Sequence, residues 1–222
     1  MILNFLSVNT AWNREKVVEF MKYRAVDAVF LDLPTSFEAY FAKKLLPPVD
    51  ISHIQDLRAS EPIIQYCWNE EVPIYCYLDD KDSEERKKIQ IELAKLVLKA
   101  KLTEKIDVLE WKKLIFHDLA LKEGLNELIA IKIHENAGNV NVCLNLSPEI
   151  ENYLKEAGFE VERIQLYEFQ RPIDKLYELA LKEMKGEKVS NEVYLEVIKK
   201  HLIFVDSVIE VGYEEACKYF WM

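Results

Sequence analysis

The sequence predicts an α/β fold in which a mostly parallel central sheet is flanked by helices. Three observations carry that expectation. Residues 140–145 form a short apolar run of strand type, a capped helix follows over 148–157, and residues 159–166 alternate as a second strand. Residues 1–8 and 27–33 bracket another helix in the same strand–turn–helix–strand order. Tight turns at both ends of such a helix favour parallel strands joined by a right-handed crossover.

Each element has a local cause. In the later unit Ser147 offers an N-cap, Pro148 suits the first helical position, and Glu149 and Glu151 complement the positive end of the helix dipole. Ile150, Tyr153, Leu154 and Ala157 recur at i, i+3, i+4 and i+7, the stripe of a helix facing a core, and Gly158 suits a left-handed cap. In the first unit a strand over 1–8 leads into the turn Asn9-Thr10-Ala11-Trp12-Asn13. A helix over 14–23 follows, with Val17, Phe20 and Met21 inward, and then a strand over 27–33 stopped by Pro34.

A short amphipathic helix is expected over 36–45 and an irregular loop over 47–59. Ser60 and Pro62 open another helix, which ends near 69, and residues 72–78 read as a third strand. The run Asp79-Asp80-Lys81-Asp82 then leads into a long charged helix. Asp82 and Glu85 resemble a capping box there, and Ile89, Leu93, Leu96, Val97 and Ala100 make the buried stripe. A helix over 103–123 completes a hairpin inserted between strands three and four. Residues 125–134 suit a helix, and after 166 further helices open at Arg171-Pro172 and at Ser190. The boundaries read as an α/β domain over 1–170, with a helical insertion at about 83–123, and a helical C-terminal appendage over 171–222 packed on it.

Composition narrows the partners. The chain of 222 residues carries a net charge of −10, which argues against a phosphate-backbone partner, so no nucleic acid is expected. Lys87, Lys88, Lys95 and Lys99 are interleaved with acids and read as solvated helix faces. Nothing reaches the roughly 18 consecutive apolar residues of a membrane span, and the apolar start lacks a signal peptide's basic region and cleavage site. No membrane partner is expected, and the expected compartment is the cytoplasm. Cys67, Cys76, Cys143 and Cys217 form no C-x-x-C and sit in apolar contexts, so they read as buried, inert thiols. Few glycines with abundant Lys, Glu and Ile is a composition that thermophiles share. The terminal Tyr219-Phe220-Trp221-Met222 is expected to be buried against the domain or against a second copy, giving a homodimer through the C-terminal helices.

Three short stretches carry a family resemblance. Ser7-Val8-Asn9-Thr10-Ala11-Trp12 is similar to a strand ending in Gly-Thr-Ala-His. Asp27-Ala28-Val29-Phe30-Leu31-Asp32-Leu33-Pro34 is similar to a strand Asp-x-Val-x-x-Glu-Leu that carries an acid. Leu125-Asn126-Glu127-Leu128-Ile129-Ala130-Ile131-Lys132-Ile133 is similar to a helix Arg-Asn/Asp-x-x-Met-Ala-x-x-Ile, followed by a strand where Gly-x-x-His would end. Together these resemble the TraB/PrgY–ChaN–erythromycin esterase superfamily over about residues 1–166. The resemblance implies a hydrolytic site built from two His, a Glu and an Arg. Here Trp12 stands at the first His position and Leu146, or Ser147 with a one-residue slip, at the second; Leu125 replaces the Arg and Asp32 the Glu. Trp and Leu neither hold a divalent metal nor take a proton near neutral pH. The resemblance therefore implies a catalytically degenerate member that acts as a ligand-binding or protein-interaction module.

Among single residues, Asp32 interrupts an apolar strand at its carboxyl end, where α/β sites lie, or else serves as a carboxylate bonded to loop amides. Trp12 floors a pocket or covers the sheet top. Asn9, Asn13, Asn145 and Ser147 bond a ligand or close their turns. His53, Asp56 and Arg58 share one segment; with Asp32, His53 and Arg58 would supply a rebuilt hydrolase its base and anion clamp. Asp79, Asp80 and Asp82 resemble a divalent-cation site or simply open a helix. A regulatory module binding a nucleotide-like ligand is a third reading. Nucleophile elbows, P-loops, H-E-x-x-H and Gly-rich dinucleotide turns are absent, so no cofactor is expected and no metal site is assigned.

Overall fold

Five strands, all parallel, make one sheet: β1 (Ile2–Leu6), β2 (Ala28–Pro34), β3 (Ile74–Leu78), β4 (Asn141–Leu144) and β5 (Val161–Gln165), in the order β3-β2-β4-β1-β5. The structure is a computed structural model and describes residues 1–48, 53–166 and 170–219. Its helices are α1 (Ala11–Met21), α2 (Glu38–Phe41), α3 (Ile54–Glu70), α4 (Asp80–Thr103), α5 (Val108–Glu123), α6 (Asn126–Asn136), α7 (Pro148–Glu156), α8 (Pro172–Met184), α9 (Asn191–Val211) and α10 (Tyr213–Tyr219). The chain divides into two compact units, Met1–Ser83 with Leu125–Glu168, and Glu84–Gly124 with Phe169–Met222. The α/β fold with its parallel sheet stands as the sequence predicts.

In the first unit the two-residue period of the strands sorts side chains onto two faces. Leu3, Phe5, Val29, Leu31, Val142 and Leu144 meet Val17 and Met21 of α1 and Ile63, Ile64 and Cys67 of α3. Ile2, Ala28, Phe30 and Cys143 meet Ala130 and Ile133 of α6 and Ile150 and Leu154 of α7. The chain leaves β1 through α1 towards β2 and leaves β4 through α7 towards β5, so connections from two neighbouring strands depart to opposite sides. Such a switch point opens a crevice beyond the carboxyl ends of the strands. At the exposed edge, the Glu38 carboxylate accepts the Cys76 amide at 2.6 Å and pairs with Lys132 at 2.7 Å, occupying the edge of β3.

In the second unit, Val97 of α4, Trp111 and Ile115 of α5, Leu176 and Ala180 of α8, and Tyr194 and Ile198 of α9 form one apolar core. Helices of the insertion and of the C-terminal segment thus share a unit. Lys112 bridges α5 to α8 by pairing with Glu183 at 2.8 Å, and Lys101 pairs with Asp206 across α4 and α9.

Several local expectations change. The loop over 47–59 is overturned from Ile54 onward, because α3 starts there and runs through Ser60 and Pro62 instead of opening at them. Leu57, Ile64 and Cys67 continue one buried helical stripe, which outweighs the backbone bond that Pro62 forfeits. Residues 49–52 lie outside the described residues. The helix expected over 36–45 contracts to a 3-10 turn, Thr35–Phe37, and α2. Helix α1 begins at Ala11, three residues ahead of 14, and α4 begins at Asp80, ahead of the expected capping box, whose side chains lie outside the described residues. Helix α5 starts later than 103, at Val108, and α9 opens after Ser190 and runs to Val211. All four cysteines are free and buried. Tyr219 is exposed, and Phe220, Trp221 and Met222 lie outside the described residues. Among the described residues no helix is long and apolar enough to cross a membrane.

Candidate functional site

The carboxyl ends of β1, β2 and β4 converge on Asp32. Arg14, buried in the first turns of α1, grips both its oxygens from one Nη at 2.7 and 2.9 Å. Asn145 donates its amide to Asp32 Oδ2 at 2.9 Å and accepts the Ser7 backbone N–H at 2.9 Å. One side chain therefore ties the ends of all three strands. Asn145 can do this because its φ of 52° turns the chain at the end of β4, a conformation that Asn tolerates better than most residues. Beyond Arg14 the network continues: its other Nη donates to Ser60 Oγ, and Ser60 donates to the Asp56 carbonyl at 2.7 Å. Asn9 donates its amide to the Asp56 carboxylate, and Gln55 donates to the Asn9 carbonyl at 3.0 Å. His53 Nδ1 stands 3.7 Å from Asp56 Oδ2.

Of the residues singled out in the sequence, Asp32, Asn145, Asn9 and Asp56 belong to this hydrogen-bonded network, and His53 stands beside it at 3.7 Å from Asp56. Trp12 and Asn13 lie in the first turn of α1, and Asn13 is fully buried. Ser147 caps α7, its Oγ accepting the Ile150 amide at 3.2 Å, and donates to Asn126 at 3.2 Å. Leu146 is buried among Ile150 and Leu154 beneath the sheet. Arg58 is exposed on α3, and the guanidinium that meets Asp32 is that of Arg14. Asp79 is exposed at the end of β3; the side chains of Asp80 and Asp82 lie outside the described residues. Sequence reasoning missed Arg14, although it falls on the inward stripe Arg14, Val17, Met21 at i, i+3 and i+7.

The β1–α1 turn also concentrates buried polar atoms without a hydrogen-bond partner: Ser7 Oγ, Asn9 Oδ1, Thr10 Oγ1, both amide atoms of Asn13, and Arg14 Nε. Thr10 opens α1 with extended backbone yet makes no side-chain cap. Such groups ordinarily find partners, and each one left alone costs about 1–3 kcal/mol. The neighbouring polar network is, by contrast, complete. Buried Asn4 donates to the Leu146 carbonyl at 3.0 Å and to Glu151 at 2.6 Å, and accepts the Leu146 amide at 3.0 Å. Arg163 of β5 adds two bonds to Glu151 at 2.9 Å. Burial opposes ionisation of Glu151, but the bonds from Arg163 and Asn4 outweigh it and hold the carboxyl below its usual range.

Chemically, the lip is suited to recognition. The Asp32 carboxylate is held by the buried Arg14 guanidinium, and Asn145 adds an amide donor to it. Among the described residues no group of three or more His, Cys, Asp or Glu is placed to hold a metal ion. Comparison of this chain with protein-family models, with curated proteins and with solved structures finds no match.

Proposed function

We propose that this protein is a binding or interaction module, a catalytically degenerate relative of the TraB/PrgY–ChaN–erythromycin esterase group, which takes a small polar ligand at the carboxyl end of its sheet. The observation that carries this reading is the set of partnerless polar atoms on the β1–α1 turn, at the switch point beside Asp32. The hydroxyl and amide groups of Ser7, Asn9, Thr10 and Asn13 in this set are neutral, and with Arg14 already neutralised by Asp32 they favour an uncharged or zwitterionic molecule read by hydrogen bonds. Because the atoms are buried, the ligand enters with a local opening of the turn. Trp12 at the first imidazole position and Leu146, or Ser147 with a one-residue slip, at the second, together with the pairing of Asp32 with Arg14, support binding over hydrolysis.

Asn13→Leu tests it. Replacing the partnerless amide by an apolar side chain of similar size should stabilise the protein by about 1–3 kcal/mol, read as a higher Tm. The same variant should lose the thermal shift that the parent shows with members of a panel of free amino acids, amides and sugars. A lower Tm would mean that the Asn13 amide is structural, and no shift with any panel member would remove the reading.

A hydrolase rebuilt around Asp32 is the second reading, favoured by the Asp32–Arg14–Ser60 hydrogen bonds and by His53 standing 3.7 Å from the Asp56 carboxylate at the start of α3. Ester and phosphoester turnover that rises with Mn²⁺, Zn²⁺ or Mg²⁺ and disappears in Asp32→Asn would establish it in place of the first.

A further inference from the structure

Helix α4 has two apolar faces. Its buried stripe, Ile89, Leu93, Val97 and Ala100, accounts for its packing. On the opposite side Ile91, Ala94, Leu98 and Leu102 recur at i, i+3, i+7 and i+11, all exposed, with Leu98 at 58% and Leu102 at 84%. Lysines border this outer stripe: Lys88, Lys95 and Lys99 run along one flank and Lys87 stands at its first turn, whereas Lys101 is engaged by Asp206 of α9. Residues 87–105 hold six lysines against two glutamates in a chain of net charge −10. Among these lysines, Lys95 pairs with Glu92 and Lys99 with Glu110 in solvent-exposed, weakly held ion pairs, and Lys101 pairs with Asp206 of α9.

We propose that this outer face of α4 is a docking surface for an acidic amphipathic helix of a partner protein. The spacing is that of a helix seam about three turns long, and Ala94 lets a second helix approach closely at its centre. The flanking lysines occupy the positions that set partner choice in paired helices, and they select glutamate or aspartate opposite. A second copy of the chain is disfavoured, because a two-fold pairing of this stripe would bring lysine flanks against lysine flanks. An anionic bilayer is disfavoured by the acidic remainder of the molecule. The proposal concerns the second unit and does not depend on the sheet-top site.

The test uses the full chain and two labelled synthetic peptides, each a single amphipathic helix with one leucine seam, flanked by glutamates in one and by lysines in its twin. The glutamate peptide should bind and the lysine twin should not, with affinity falling at least about tenfold from about 50 to about 500 mM salt. Leu98→Glu should weaken binding by at least about tenfold without moving the Tm. The double variant Lys88→Glu, Lys95→Glu should exchange the preference for that of the lysine twin. Equal binding of the two peptides, or binding of neither, overturns the proposal. So does co-sedimentation with phosphatidylserine vesicles that Leu98→Glu abolishes, or a Leu98-dependent dimer in sedimentation velocity; these assign the face to lipid or to a second copy.

Discussion

The two units solve the same packing problem with different chemistry. In the sheet unit Asn4, Thr10, Asn13, Arg14, Ser60, Asn141 and Glu151 are buried; among the described residues of the helical unit only Asp118 matches them. The cause lies in the backbone. A helix satisfies its own N–H and C=O groups, so α4, α5, α8 and α9 can meet through an apolar core of Val97, Trp111, Leu176 and Ile198, with ion pairs such as Lys112–Glu183 and Lys101–Asp206 linking the helices beside it. A parallel sheet ends in strand termini that must be turned and capped, and Asn4, Asn145 and Ser7 do this at one lip. Polar side chains already gathered for structure can then be turned to recognition. The helical unit offers its chemistry on its outside.

The largest expected effect breaks the sheet unit alone. Arg14→Met leaves the Asp32 carboxylate without its cation and should cost about 3–5 kcal/mol, seen in urea unfolding. Hydrogen exchange should rise first in α1, α3 and β2. Unaltered stability would mean that the Arg14–Asp32 pair does not hold the lip.

Acid should act on the helical unit. His201 sits edge-on to Trp111 with its Nδ1 buried and without a hydrogen-bond partner. Burial, with Arg171 and Lys101 nearby, lowers its pKa from 6.5 to about 4, against a smaller opposing pull from Asp174. The folded protein therefore binds fewer protons than the unfolded one between those values. Stability is full above pH 6.5 and falls as pH drops towards 4, by on the order of 3 kcal/mol. His201→Gln should flatten that slope. Glu151 acts in the sheet unit with the same sign in a lower window, its contribution being lost only as pH falls below the ordinary carboxylate range. Amide exchange should show the helical unit loosening before the sheet; the reverse order would undo the contrast.

Two smaller changes sharpen it. A Cβ built on Gly138 would lie 2.4 Å from Asp27 Cβ, and Asp27 accepts the Val140 amide at 2.8 Å, so Gly138→Ala should cost about 1–3 kcal/mol in thermal unfolding. Ser147→Ala removes the α7 cap and should cost about 1 kcal/mol, with exchange rising at the start of that helix.

What the sequence determined by itself is local. Strand alternation, the Ser147-Pro148 start of α7, Gly158 at φ 92°, and the place of Asp32 and Asn145 at strand ends all follow from neighbours a few residues apart. The inner stripe of α4 is legible in the same way. What lies far apart in sequence is decided by the fold. The segment over 47–59 reads as a loop because Pro62 signals a helix start, whereas tertiary burial of Leu57 carries α3 back to Ile54. Arg58, five residues after His53, is exposed on α3, and Arg14, eighteen residues before Asp32, becomes the partner of that carboxylate. Periodicity tells which side of an element is buried. Only the strand order, which places β4 between β1 and β2, tells which buried side chains meet.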